Sequence, residues 1–197
     1  MRCSMLALVS MLSLASPALA KNKEGGKSMT AEQAIADAEA ALDNGRIGDA
    51  IEESEKLQRT HGLPKEMQKR VEVIVARCGL VTGKYGESEK IFAKLHKASP
   101  DDARVSEWLG RALDGLGKAD EALTILSSLA QKDELQDGDS YWALAQIERQ
   151  KGDEKDALSH AELALKKPIV LQSDELDRAI HTFISELSKK QSKGDNK

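Results

Sequence analysis

The residues that could do chemistry are few, and their spacing does not suit it. Beyond the first twenty positions the chain holds four histidines, His61, His96, His160 and His181, and one cysteine, Cys78. No two histidines show the H-E-x-x-H or H-x-x-E-H spacing that sets both imidazoles around a metal, and a single cysteine offers no metal framework. His160 and Glu162 are two residues apart, which on a helix turns them to different sides. The sequence has no G-x-x-x-x-G-K-[ST] phosphate loop, no G-x-G-x-x-G after a strand and no G-x-S-x-G nucleophile elbow. The acidic pairs Asp101-Asp102 and Asp133-Glu134 fall where helices are expected to begin, and there they would complement the helix dipole. These patterns predict no catalytic residue, no metal site, no cofactor and no enzyme. Cys78 reads as a small core residue or, if exposed, as one half of an intermolecular disulfide.

The N-terminus speaks to compartment. Met1-Arg2 supplies a positive start, Met5 to Leu14 is almost wholly apolar, and Ser16-Pro17-Ala18-Leu19-Ala20 closes with an A-x-A site. That layout predicts a secretory signal peptide over residues 1–20, cleaved after Ala20. The apolar run is about ten residues, short of the roughly twenty that span a bilayer. Lys21 stands where a lipoprotein would carry cysteine. The expectation is an exported product, periplasmic or secreted, with no membrane span after cleavage. Losing Arg2 moves the net charge from −4 to −5; residues 21–29 carry +2, residues 189–197 carry +3, and the stretch between carries −10. So acidic a middle argues against a nucleic-acid partner. Residues 21–29 (KNKEGGKSM) read as a flexible linker.

The elements that would position any site are helices. The chain is rich in Ala, Leu, Glu and Lys, has two each of Phe, Tyr and Trp, and lacks strand-like alternation, which predicts an all-α fold. Gly45, Gly83, Gly117 and Gly152 recur at intervals of 38, 34 and 35 residues. Five residues after each stands a small side chain, Ala50, Ser88, Ala122 or Ala157, and seven before each stands Ala38, Ala76, Gly110 or Ala145. The glycine supplies a turn conformation that other residues adopt only at a cost. The small residues let the two helices flanking it approach closely. One such pair cannot bury its own apolar face, so pairs must stack. A short insert around Leu63-Pro64-Lys65-Glu66 accounts for the longer first interval. Beyond the last pair, Ser173-Asp174-Glu175 opens a helix. Leu176, Ala179, Ile180, Phe183, Ile184 and Leu187 then follow at helical spacing, as a capping helix would require.

The stretch from Gly83 to Leu95, closing with Pro100, resembles the second half of a tetratricopeptide repeat. Trp108-Leu109-Gly110 with Gly117 to Ala122 resembles the next, and Tyr141, Leu144, Ala145, Gly152 and Ala157 repeat the pattern. The first repeat departs from it at Asp37 and Ser54. The resemblance implies a right-handed superhelical solenoid of about four helix-turn-helix repeats over residues 30–171 (31–64, 69–102, 103–136 and 138–171). A capping helix over 172–190 and a disordered basic tail over 191–197 complete the expected organisation.

In such arrays the first helix of each repeat lines a concave groove, at its second, fifth, ninth and twelfth positions. Carried onto this chain, repeat two contributes Arg70, Val73, Arg77 and Leu80, and repeat three Arg104, Glu107, Arg111 and Asp114. Repeat four contributes Asp139, Trp142, Gln146 and Arg149. Five of the eight arginines beyond Ala20 fall at these positions, and none of the lysines does. A guanidinium suits carboxylate and carbonyl recognition. The groove is therefore expected to bind a partner protein or an acidic peptide segment through Arg70, Arg77, Arg104, Glu107, Arg111, Trp142, Gln146 and Arg149. The other reading has these arginines pairing with acids across the groove. Of the two tryptophans, Trp142 is the one expected to be exposed. Some relatives clamp a C-terminal carboxylate with asparagines; Asn22, Asn44 and Asn196 all lie outside the groove positions. The expected function is a non-enzymatic interaction scaffold of a bacterial-type cell envelope. Its alternatives are a self-associating structural subunit, which would be a homo-oligomer, and a regulatory subunit of an envelope enzyme or secretion complex.

Overall fold

The computed structural model describes residues 29–170 and 173–194, with side chains to Ser192. The expected signal peptide, all but the last residue of the expected linker and residues 195–197 lie outside the described residues. Among the described residues there are nine helices and no strand: α1 (Ala31–Asp43), α2 (Ile47–Gln58), α3 (Lys65–Val81), α4 (Tyr85–Ala98), α5 (Ala103–Gly115), α6 (Ala119–Gln131), α7 (Gly138–Lys151), α8 (Glu154–Ala164) and α9 (Asp174–Gly194). None is long and apolar enough to cross a membrane.

Each of the first four pairs turns at a phased glycine. Gly45, Gly83, Gly117 and Gly152 have φ of 69°, 77°, 73° and 91°. The residue after each donates its N–H back to a carbonyl five residues earlier, Arg46 to Ala41, Lys84 to Gly79, Lys118 to Leu113 and Asp153 to Glu148, at 2.8 to 2.9 Å. This is the Schellman closure, and it consumes helix-end carbonyls that would otherwise lack donors. Thr30 and Asp102 cap α1 and α5 by accepting the N–H of Gln33 and Val105. Ser173 does the same for α9 through Leu176.

Successive odd helices touch one another, α1 with α3, α3 with α5 and α5 with α7, while no comparable layer joins the even ones. The array therefore bends towards the odd helices, which form its inner face. The small positions sit where the two helices of a pair cross: a Cβ added to Gly110 would come within 2.7 Å of Leu126. Three clusters of buried apolar residues follow the array, around Ile35 and Leu57, around Phe92 and Trp108, and around Leu126, Leu144 and Ile180. The last includes Phe183 and Leu187, so α9 covers the apolar face that the fourth pair would otherwise leave open.

Four details depart from expectation. The short insert around Leu63 to Glu66 is partly helical, since Lys65 and Glu66 form the first turn of α3, started at Pro64, whose fixed φ suits a helix entrance. α9 runs to Gly194, into the stretch expected to be a disordered tail; Lys189, Lys190 and Gln191 are good helix formers, and lysines near a C-terminus complement the dipole. Asp133-Glu134 does not begin a helix. Asp133 takes φ of 57° just after α6, and Glu134 donates to Leu129 in the closure that glycine makes elsewhere. Ser54, at an expected apolar position, is buried with its hydroxyl donating to the Ile51 carbonyl.

After α8, residues 165–170 reach across the inner face as a strap. The Pro168 carbonyl accepts the Gly138 N–H at 2.7 Å, and the Val170 N–H donates to Asp139 Oδ2 at 2.9 Å. At the opposite end of the array, a Cβ on Gly45 would lie 3.0 Å from the Val170 carbonyl oxygen.

Candidate partner-binding site

The expected groove positions lie on the inner helices, but the structure does not leave its arginines free. Arg70 grips Glu39 with two hydrogen bonds of 2.9 and 2.7 Å and also pairs with Glu32. The bonds from Glu39, then Glu32, hold its guanidinium above the usual pKa range. Arg77 pairs with Asp43 at 2.7 Å and lies 5.0 Å from the centre of the Trp108 ring. Arg104, 4.8 Å from the same ring, pairs with Glu107 at 2.9 Å and Asp137 at 3.1 Å. Arg111 faces Asp139 at 3.6 Å. Arg149 meets Glu186 at 3.0 Å and covers Phe183. The five cations thus face seven carboxylates. The acidic ligand expected of them rested on unpaired guanidiniums, and the rival reading, pairing across the groove, describes the geometry.

Glu107 is also not presented to a partner. Its side chain is 0% exposed, and Oε1 accepts the N–H groups of Gln136 and Asp137 at 3.1 and 2.9 Å, tying α5 to the start of α7. Burial, then the neighbouring charge of Asp137, pushes its carboxyl above the usual range. Trp108 belongs to the core, packed 5.6 Å from Phe92. Cys78 is buried as well, which removes it as a ready partner for an intermolecular disulfide. His160 ignores Glu162 and pairs with Glu148 of α7 at 2.7 Å.

What remains open is a trough centred on Trp142. Under the strap, the space between Leu42, Arg77, Trp108 and Val170 shrinks to about 10 Å³, scarcely one water. Next to it lies a cavity of about 160 Å³ lined by Leu80, Arg111, Asp114, Asp139, Trp142 and Gln146, among others. These six are groove positions of repeats two, three and four, brought together in one place. On the far side of Trp142 a wider, more open recess of about 430 Å³ runs between α7 and α9 past Arg149, Arg178 and Phe183. Half-buried Trp142 lines both spaces and holds its ring edge-on to Phe183 at 4.9 Å. Sequence reasoning missed Phe183 and Arg178 because it treated α9 only as a cover.

Residues 82–147, from the turn before α4 through most of α7, match the tetratricopeptide repeat family model. No curated protein matches the chain. Among solved structures, a tetratricopeptide repeat protein from Parabacteroides merdae aligns over 80% of this chain at 16% identity and a TM-score of 0.56. This chain covers 57% of that protein, little more than half its length. MamA of AMB-1 aligns over 83% of this chain and 89% of its own, at 15% identity and a TM-score of 0.54. MamA 41-end from Desulfovibrio magneticus RS-1 aligns over 82% and 85%, at 16% identity and a TM-score of 0.50. At such identities the likeness is one of fold. The chain is an all-α solenoid of tetratricopeptide-like helix pairs, closed by a ninth helix.

Proposed function

We propose that this protein is a non-enzymatic scaffold of the cell envelope that holds a segment of a partner protein along the trough over Trp142. The observation that carries the reading is Trp142 itself: a half-buried tryptophan on the inner face, flanked by a smaller cavity and a wider, more open recess. Large aromatics of this kind, surrounded by polar groups that fix orientation, anchor partners at interfaces. The family match over residues 82–147 supports a protein-binding role. The envelope location rests on the N-terminal pattern of positive start, apolar run and small-residue site.

The test is a photo-cross-linking amino acid at Gln146, in cells that make the full chain. One discrete adduct is expected, lost when Trp142→Ala is added without change in the helical circular dichroism signal. If Gln146 gives no adduct while a probe at exposed Glu162 on α8 gives one, the trough is not the binding surface. For location, the protein recovered from the envelope fraction should begin at Lys21. Recovery only from the cytoplasm with Met1 intact would remove the envelope assignment.

A further inference from the structure

The charges lining the smaller cavity are unbalanced. Arg111 and Asp139 face each other there, with side chains only 16% and 13% exposed, so each serves the other. Asp114, one turn further along α5, lines the same cavity and is half-buried, yet among the described residues its carboxylate accepts no hydrogen bond and makes no ion pair. Burial holds its carboxyl above the usual range, against the pull of Arg111. A carboxylate kept partly from water, with only a shared cation nearby, lacks a counter-charge. Trp142 forms an aromatic wall beside it, and the Gln146 amide oxygen is a further acceptor. At about 160 Å³ the cavity falls below the usual size of a small-molecule pocket and suits a single long side chain.

We propose that this cavity takes one basic side chain, arginine or lysine, presented by an extended segment of a separate partner protein, with Asp114 as its counter-ion and Trp142 as its stacking surface. The proposal rests on the trough being the partner-binding site, and it reverses the partner charge that the arginine positions had suggested. Charge complementarity supports it more widely, since the groove arginines are already matched by seven carboxylates and Asp114 adds an eighth. A cation over an aromatic face and beside a carboxylate gains from both.

The probes are acetylated and amidated pentapeptides, alanine throughout except for a central arginine, lysine, glutamine or glutamate. They are titrated into the protein while the Trp142 indole N–H is followed by NMR. The arginine or lysine peptide is expected to bind at least about tenfold more tightly than the glutamine peptide, the size of one ion pair and one cation–aromatic contact together. Asp114→Asn should abolish that preference without lowering the melting temperature, and added salt should weaken it. Equal or tighter binding of the glutamate peptide, no response to any peptide, or a preference that survives Asp114→Asn overturns the proposal. The Gln146 cross-link separates the two levels. An adduct that maps to a segment without arginine or lysine, or that is indifferent to Asp114→Asn, sinks the basic side chain and spares the trough. No adduct at all sinks the trough, and an adduct between two copies of this chain overturns the separate partner.

Discussion

Glu107→Ala should be the most damaging change on the inner face, because Glu107 joins two repeats from a fully buried position. Its Oε1 accepts two backbone N–H groups and its Oε2 takes Arg104. Truncation leaves the N–H groups of Gln136 and Asp137 without an acceptor and Arg104 with Asp137 alone. A hydrogen bond to a charged group contributes about 1.5–3 kcal/mol, and removing one partner of a buried pair costs about 3–5 kcal/mol. Against this, the ionised Glu107 is itself costly, as the upward push of burial and Asp137 on its carboxyl shows. The net expectation is a loss of about 3 kcal/mol, or roughly 6–12 °C in Tm at the 2–4 °C per kcal/mol usual for domains of this size. Urea unfolding followed by tryptophan fluorescence measures it. Glu107→Gln keeps an acceptor for the two N–H groups and should cost only about 1 kcal/mol. A loss under about 0.5 kcal/mol for Glu107→Ala, or equal losses for both variants, would refute the reasoning. The pH dependence carries a definite sign. A carboxyl raised in the folded state adds stability below its unfolded value, and this is lost as pH rises through the folded value. The wild type should therefore gain stability relative to Glu107→Gln as pH falls from neutral towards the ordinary glutamate range. A difference flat in pH would show that Glu107 is not perturbed.

Three further outcomes follow from the packing. Gly117→Ala has open space for its methyl group but must hold φ of 73°, so it should cost about 1–2 kcal/mol in urea unfolding; a neutral result would mean that the turn relaxes freely. Gly138→Ala would set a Cβ within 2.5 Å of the Ala164 carbonyl and 2.7 Å of Ile169. It should loosen the strap, and faster tryptic cleavage after Lys166 reports that. Cys78 is 5% exposed, and burial raises its thiol pKa, so it should resist a thiol reagent in the native protein and react in denaturant. Fast native labelling would contradict its place in the core.

The helix pairs were legible because their signals are local. A glycine at the end of a helix, a small residue at a crossing and a serine before an acidic turn each act within a few residues of themselves. Asp133 escaped notice because it adopts a glycine-like conformation without being glycine. The arginine pairing was less visible because its partners lie one repeat away. Arg70 meets Glu39 and Glu32 at separations of 31 and 38 residues, and Arg77 meets Asp43 at 34. In a stacked array a residue's lateral neighbours are those about a repeat length earlier or later, so an acid at that distance was the available sign. The trough over Trp142 was half legible: its inner wall follows from repeat positions, while its outer wall depends on where α9 docks.

The strap changes the mechanics of the array. A solenoid whose repeats touch only their neighbours behaves as an open spring, able to unwind from either end. Here the Val170 carbonyl comes up against the first turn at Gly45 while Asp139 holds the Val170 N–H. The strap held by the last pair thus rests against the first across the inner face, and the spring is braced. Opening of the first pair would uncover the strap at the fourth, and a guest on the inner face must share its space with the strap.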